Sequence, residues 1–267
     1  MTQNIVAETA IRFEQDGAIA TITLDMPDKG NAIGMEIATA LVTAAERCDT
    51  DDSIRCVVLT GAGRLFCAGG DIGYMQSAQD RNTALRLLAD TLHVAVLRLA
   101  QMKKPLLCLV QGPAAGAGLS LAVLGDIVIA ARSAHFTLAY GAIGLTPDGG
   151  ASWLLPRLVG LRRAQELIIT NRRVPADEAQ AIGLVTSVVD DDQLAAEGRK
   201  MAETLARSAT GAIGAARSLL LGSYGADLKT HLDLEARTIA AASVGAEGLE
   251  GVSAFLAKRR PDFAGNG

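Results

Sequence analysis

The stretch from residue 105 to residue 125 carries no charged side chain over 21 residues, and it constrains the fold more than any other part of the chain. By length alone it could cross a membrane. Gln111-Gly112-Pro113 interrupts it, however, and Asp126 and a second apolar run at 127–131 follow at once. Gly-Pro breaks regular structure, and short apolar runs fit buried strands. A buried strand, a turn, a helix and a further buried strand is therefore expected, with no membrane span. Such close packing needs small side chains. The chain supplies 47 Ala and 28 Gly among 267 residues, against 5 Phe, 3 Tyr and 1 Trp.

The rest of the chain reads in the same terms. Residues 18–24 alternate as a strand, and residues 5–13 are expected to pair with it. Residues 25–32 form a loop containing Pro27 and Gly30. Met35, Ala38, Leu41, Val42 and Ala45 recur at helical spacing, as do Leu85, Leu88, Leu92, Ala95 and Leu99. Residues 56–60 and 106–110 read as buried strands, 114–124 as a helix, and 127–131 and 135–139 as strands. Thr146-Pro147-Asp148-Gly149-Gly150 signals a turn or helix start, and Pro175 opens a short helix. Residues 185–189 form the last strand, and from Asp191 the pattern is helical only. The expectation is an α/β body over residues 1–190 and a helical region over residues 191–267.

Composition removes several functions. Lys plus Arg number 25 against 29 Asp plus Glu, a net charge of -4, which lacks the basic footprint of nucleic-acid binding. Cys48, Cys56, Cys67 and Cys108 form no C-x-x-C pair and have no His at zinc-ligand spacing. No metal site is expected, and scattered thiols fit a reducing, cytoplasmic setting. The first residues hold Glu8, Glu14 and Asp16 and no apolar run, so no leader is expected there. G-x-G-x-x-G, the Walker loop and G-x-S-x-G are missing. His93, His135 and His231 stand isolated and read as structural.

Two loops remain, each just after a strand: Phe66-Cys67-Ala68-Gly69-Gly70-Asp71-Ile72 and Gln111-Gly112-Pro113-Ala114-Ala115-Gly116-Ala117-Gly118. Small residues let a ligand reach the backbone, and free N–H groups there bind an oxyanion or carbonyl. Either loop alone is explained equally well by tight turns. Two in one chain, with no other nucleophile or metal cluster, favour a pair of N–H donors.

These residues resemble the crotonase, or enoyl-CoA hydratase/isomerase, superfamily, through residues 27–32, 61–72, 104–131, 136–160, 176–185 and 250–263. The resemblance implies a spiral of ββα units followed by a helical trimerisation region, hence a homotrimer or a dimer of trimers. It implies an acyl-CoA thioester as substrate and no cofactor beyond the CoA that the substrate carries. The family's two backbone donors fall on Gly70 and Ala117, flanked in the substrate site by Ala68, Gly69, Asp71, Ile72 and Gly116. Asp71 reads as a cap or loop brace. One such donor is worth about 2.7–4 kcal/mol at a transition state with a developing oxyanion.

The family's hydratases carry two glutamates, and here those positions hold Ser120 and Tyr140. An acid stands instead at Asp148, in a Pro-Asp-x-Gly-type run before Trp153-Leu154-Leu155-Pro156-Arg157. That arrangement resembles the 1,2-epoxyphenylacetyl-CoA isomerase branch and implies Asp148 as the catalytic acid/base, although Asp between Pro and Gly is also a common cap. Ser120 and Tyr140 are expected to line the acyl pocket, and Lys29 and Lys258 to meet CoA phosphates. An acyl-CoA isomerase is expected. A hydratase with another water-positioning set and a non-catalytic acyl-CoA-binding subunit are the alternatives.

Overall fold

A computed structural model describes residues 7–265 apart from Thr9. The chain opens with strands β1 (Ala7–Glu8), β2 (Ile11–Asp16) and β3 (Ile19–Leu24), joined antiparallel. The strand expected at 5–13 thus sits further along, and Ile5, Val6 and Thr9 lie outside the described residues. Ile11 and Phe13 turn inward while Arg12 and Glu14 point out, and Gly17 (φ 58°) makes the turn to β3. Helix α1 (Met35–Thr50) then leads to β4 (Cys56–Gly61), α2 (Ile72–Ser77), α3 (Arg81–Gln101) and β5 (Leu106–Val110).

Two residues at 114–115 depart from expectation. Ala114–Ala115 form a strand, β6, and helix α4 spans only Ala117–Ala122. Gly116 (φ 52°, ψ -126°) separates them in a conformation no helix holds. The chain continues through β7 (Ile127–Ala131), β8 (His135–Thr137), α5 (Ala151–Val159), α6 (Leu161–Thr170), β9 (Val174–Pro175), α7 (Ala176–Ala181) and β10 (Ser187–Val189). Helices α8 (Leu194–Ala206), α9 (Thr210–Gly222), α10 (Leu228–Val244) and α11 (Ala246–Leu256) complete it.

The main sheet has the order β1-β2-β3-β4-β5-β7-β10, parallel from β3 onward. Its inner strands are apolar without alternation because both faces are covered. Val57 and Leu59 of β4 enter the core shared with α1, α3 and α4. Cys56 and Val58 of the same strand meet Leu194, Ala202 and Ala206 of α8 on the other face. A small sheet, β6-β8-β9, lies apart. Lys104 donates to the carbonyls of Cys48 (2.6 Å) and Asp51 (2.5 Å), closing the C-terminal end of α1. Arg217 of α9 pairs with Asp126 at 2.8 Å and donates to the carbonyls of Leu99, Met102 and Lys104, tying the helical region to the ends of α3 and β5.

Among the described residues no single helix is long and apolar enough to cross a membrane. The pair α10 and α11 passes that test only when taken together, and it is bent by 72°.

Candidate active site

Strands β4 and β5 are parallel neighbours, with Val57 opposite Leu106 and Leu59 opposite Cys108. Their C-terminal ends therefore stand side by side, and the two Gly/Ala-rich loops leave from the same edge of the sheet. Backbone bonds sew the loops together: Phe66 N–H donates to the Pro113 carbonyl at 3.1 Å and Ala115 N–H to that of Cys67 at 2.9 Å. Asn31, fully buried, braces the first loop from below. Its amide donates to the carbonyls of Ala62, Leu65 (both 2.9 Å) and Phe66 (3.1 Å), and its oxygen accepts the Met26 N–H at 2.9 Å.

This stitching decides which amides remain free. Ile33 pairs across the first loop through the Gly69 carbonyl (2.7 Å) and the Asp71 N–H (3.0 Å). In such a parallel bridge the polar groups of Gly70, between them, face the other way. Ala117 is the first residue of α4, where an N–H has no intrahelical acceptor. Among the described residues neither the Gly70 nor the Ala117 N–H meets an acceptor, and both residues line one cavity of about 560 Å³. Gly69 (φ 107°) and Gly116 (φ 52°) let the loops touch. A Cβ on Gly69 would lie 3.0 Å from the Ala115 carbonyl oxygen, and one on Gly116 would lie 3.5 Å from the Gly69 Cα.

The next part of the lining is built of side chains. Strand β6 pairs with β8, and Gly116 N–H donates to the Thr137 carbonyl at 3.0 Å, so the segment after β8 begins beside the second loop. Ala139 takes a left-handed φ of 62° and turns the chain into the 3-10 turn that starts at Tyr140. The Tyr140 hydroxyl donates to Asp148 Oδ1 at 2.6 Å and lies 3.3 Å from Ser120 Oγ. Ser120 Oγ donates to the Asp148 carbonyl at 2.9 Å. Burial first, and then the negative charge of Asp148, push the Tyr140 phenol well above its ordinary value, so it stays a donor. Asp148 is the one carboxylate among the residues lining the cavity. Much of the remaining lining is aliphatic, with Leu85, Leu88 and Leu92 of α3 joined by Ile143 and Leu145.

Of the residues expected at the site, the cavity unites Ala68, Gly69, Gly70, Ile72, Gly116, Ala117, Tyr140 and Asp148, with Ser120 buried directly behind. Asp71 caps α2, its Oδ1 accepting the Tyr74 N–H at 3.1 Å, and faces a separate hollow with Lys29. Lys258 sits past the end of α11 and lines neither cavity. Cys67 is buried beneath the first loop, and burial pushes its thiol up to about 12, which suits a filler and not a nucleophile. Asn82 and Arg86, which the sequence does not mark, also line the cavity, and His93, expected as structural, accepts the Gly149 N–H through Nε2 at 3.1 Å. Among the described residues no group of three or more His, Cys, Asp or Glu could hold a metal. A second hollow, of about 880 Å³, lies among α9, α10 and α11. Its Glu247 is spent on the Gly211 and Ala212 N–H groups, both at 3.1 Å.

Paired amide donors and one carboxylate that line the same cavity can hold a carbonyl oxygen and move a proton beside it. Comparison with known proteins supplies the family. The sequence matches the family described as Enoyl-CoA hydratase/isomerase over residues 14–266, and the chain belongs to that family, the crotonase superfamily. It is 41% identical over 255 residues to the 1,2-epoxyphenylacetyl-CoA isomerase of Escherichia coli K12, covering 92% of this chain and 95% of that one. It is 37% identical to a probable enoyl-CoA hydratase of Rhodobacter capsulatus, covering 96% and 98%. The crystal structure of an enoyl-CoA hydratase from Polaromonas sp. JS666 superposes with a TM-score of 0.90 at 33% identity, covering 94% of this chain and 98% of that one. The crotonase fold is thus shown.

Proposed function

We propose that this protein is an acyl-CoA isomerase. The observation that carries the reading is the single carboxylate, Asp148, lining the same cavity as the free Gly70 and Ala117 amides. In this reading the thioester oxygen accepts both N–H groups. Asp148 takes a proton from the carbon next to the conjugated system, the charge moves to the held oxygen as an enolate, and the proton returns at another carbon. One base suffices for such a transfer. Hydration also needs a positioned water, and the places that would hold two glutamates carry Ser120 and Tyr140, both engaged with Asp148.

The similarity to a 1,2-epoxyphenylacetyl-CoA isomerase supports a substrate of that kind, rearranged at the ring, alongside straight-chain 3-enoyl-CoA. Lys29 and Lys258 are the proposed phosphate contacts. The four free cysteines fit a cytoplasmic setting. The exposed apolar side chains Leu228, Leu232, Ile239, Val252 and Phe255 of α10 and α11 support a homotrimer or a pair of trimers.

The test is a panel of CoA thioesters followed by mass spectrometry and ultraviolet spectra. Isomerisation leaves the mass unchanged, whereas hydration adds one water. Rapid conversion of crotonyl-CoA to 3-hydroxybutyryl-CoA would overturn the reading, and CoA-thioester binding without turnover across the panel would replace it with a binding role.

A further inference from the structure

The turn that carries Asp148 is held at three points from three directions. Ser120 of α4 holds its carbonyl, Tyr140 holds its carboxylate, and His93 of α3 takes the N–H of the next residue, Gly149, at 3.1 Å. The first two contacts are hydroxyls, which rotate. The third is directional. A backbone N–H can only donate, so His93 Nε2 must present its lone pair. A neutral imidazole then carries its proton on Nδ1. The turn also requires glycine. Gly149 (φ 60°) and Gly150 (φ 86°) are consecutive left-handed residues, and a Cβ on Gly149 would lie 2.9 Å from the Ser120 Cβ.

We propose that His93, as the neutral Nδ1–H tautomer, is the positioning residue that sets the Asp148 carboxylate against the substrate by accepting the Gly149 N–H. This rests on Asp148 being the base. His93 does not line the cavity, so it acts through the turn and not on the substrate. Its helix does meet the substrate space: Leu85, Leu88, Ala89 and Leu92 of α3 line the aliphatic wall, and Leu92 is the residue just before His93. The His93–Gly149 bond therefore fixes the distance between the wall that holds the acyl group and the group that removes its proton. Displacing a catalytic group by an ångström costs rate and not binding.

The experiment compares His93→Leu, His93→Gln and the unaltered enzyme on the acyl-CoA it isomerises. His93→Leu is expected to lower kcat by about ten- to hundredfold with KM changed less than about threefold. The Gln Oε1 reaches the place of Nε2 and accepts the same N–H, so His93→Gln should recover most of kcat. A histidine that only packs would predict no such rescue. Full kcat in His93→Leu, or equal damage in both variants, overturns the proposal. If His93→Leu fails to fold, nitrogen-15 spectra of histidine-labelled enzyme decide. A protonated Nδ1 with a bare Nε2 at neutral pH is expected, and an Nε2–H tautomer or an imidazolium refutes the contact. Full activity in Asp148→Asn would instead remove the base assignment and leave the tautomer result standing, so the two failures are distinct.

Discussion

The two walls of the cavity are made of different materials. On one side, Gly70 and Ala117 offer main-chain N–H groups, held by a ladder of backbone bonds between the loops and by Asn31 underneath. On the other, Tyr140 and Asp148 line the cavity and are backed by Ser120 and His93, whose contacts converge on one turn. The first wall is preorganised by main-chain bonds and by one buried side chain, Asn31. The second depends on the identity of each side chain that meets the turn. The difference is open to direct attack.

The largest effect is expected on the side-chain wall. Asp148→Asn keeps the size of the side chain and removes the base, and general-base catalysis contributes about 10²–10⁴-fold. Steady-state kinetics on the isomerised substrate should show kcat lowered by that factor. Thioester affinity, read by calorimetry, should hold because the amide donors are untouched. Equal loss of affinity and kcat would mean that the two walls are not separable.

The matching attack on the backbone wall is Ala117→Pro. Proline is tolerated at the first position of a helix, where its missing N–H has no helical partner. The substitution deletes one oxyanion donor, and kcat should fall by about 10²–10³-fold. Retained activity with a normal melting curve would show that the Ala117 N–H does not hold the oxygen.

Much of this geometry could be read before the structure, for a physical reason. Strands buried on both faces are written as apolar runs, which placed β4, β5 and β7, and a ligand-facing backbone is written as small residues after a strand, which placed both donor loops. Three things could not be read. Ala114-Ala115-Gly116-Ala117 contains no side chain that separates strand from helix, so the start of α4 was set by the pairing of β6 with β8 and not by local preference. The leucine stripe of α3 looks like any core stripe, yet Leu88 and Leu92 serve the core and the cavity at once. His93 offers no local signal because its partner lies 56 residues further along. Asp71, by contrast, was foreseen as a cap, and it caps α2.

A smaller effect sharpens the role of the tyrosine. Tyr140→Phe removes a hydrogen bond to an ionised carboxylate, worth about 1.5–3 kcal/mol, or roughly ten- to hundredfold in rate if all of it serves the base. Tyr140→Phe should therefore lower kcat while thioester affinity, read by calorimetry, holds. A matching loss of affinity would assign Tyr140 to substrate contact and not to the base.

The smallest effect on catalysis is expected where the backbone wall meets a buried thiol. Cys67 lies under the first donor loop, its thiol donating to the Asn31 carbonyl at 3.0 Å and accepting the Gly69 N–H at 3.4 Å. If the donors depend on the main-chain ladder alone, Cys67→Ala should keep kcat within about threefold while lowering stability by about 1 kcal/mol, the usual scale for one substitution. Denaturant unfolding and steady-state kinetics read the two quantities separately. The thiol also gives a pH signature. Burial raises its folded value from 9.0 to about 12, while the unfolded chain ionises near 9.0. The folded state then holds a proton that the unfolded state releases, so this contribution to stability is complete below pH 9.0 and is lost as the pH rises towards about 12. Cys67→Ala should flatten that alkaline decline by one thiol's share, leaving those of Cys48, Cys56 and Cys108, which burial also raises. A kcat that falls with Cys67→Ala as steeply as with Ala117→Pro would mean that the sulfur holds the donor loop, and that the backbone wall depends on Cys67 as well as on Asn31.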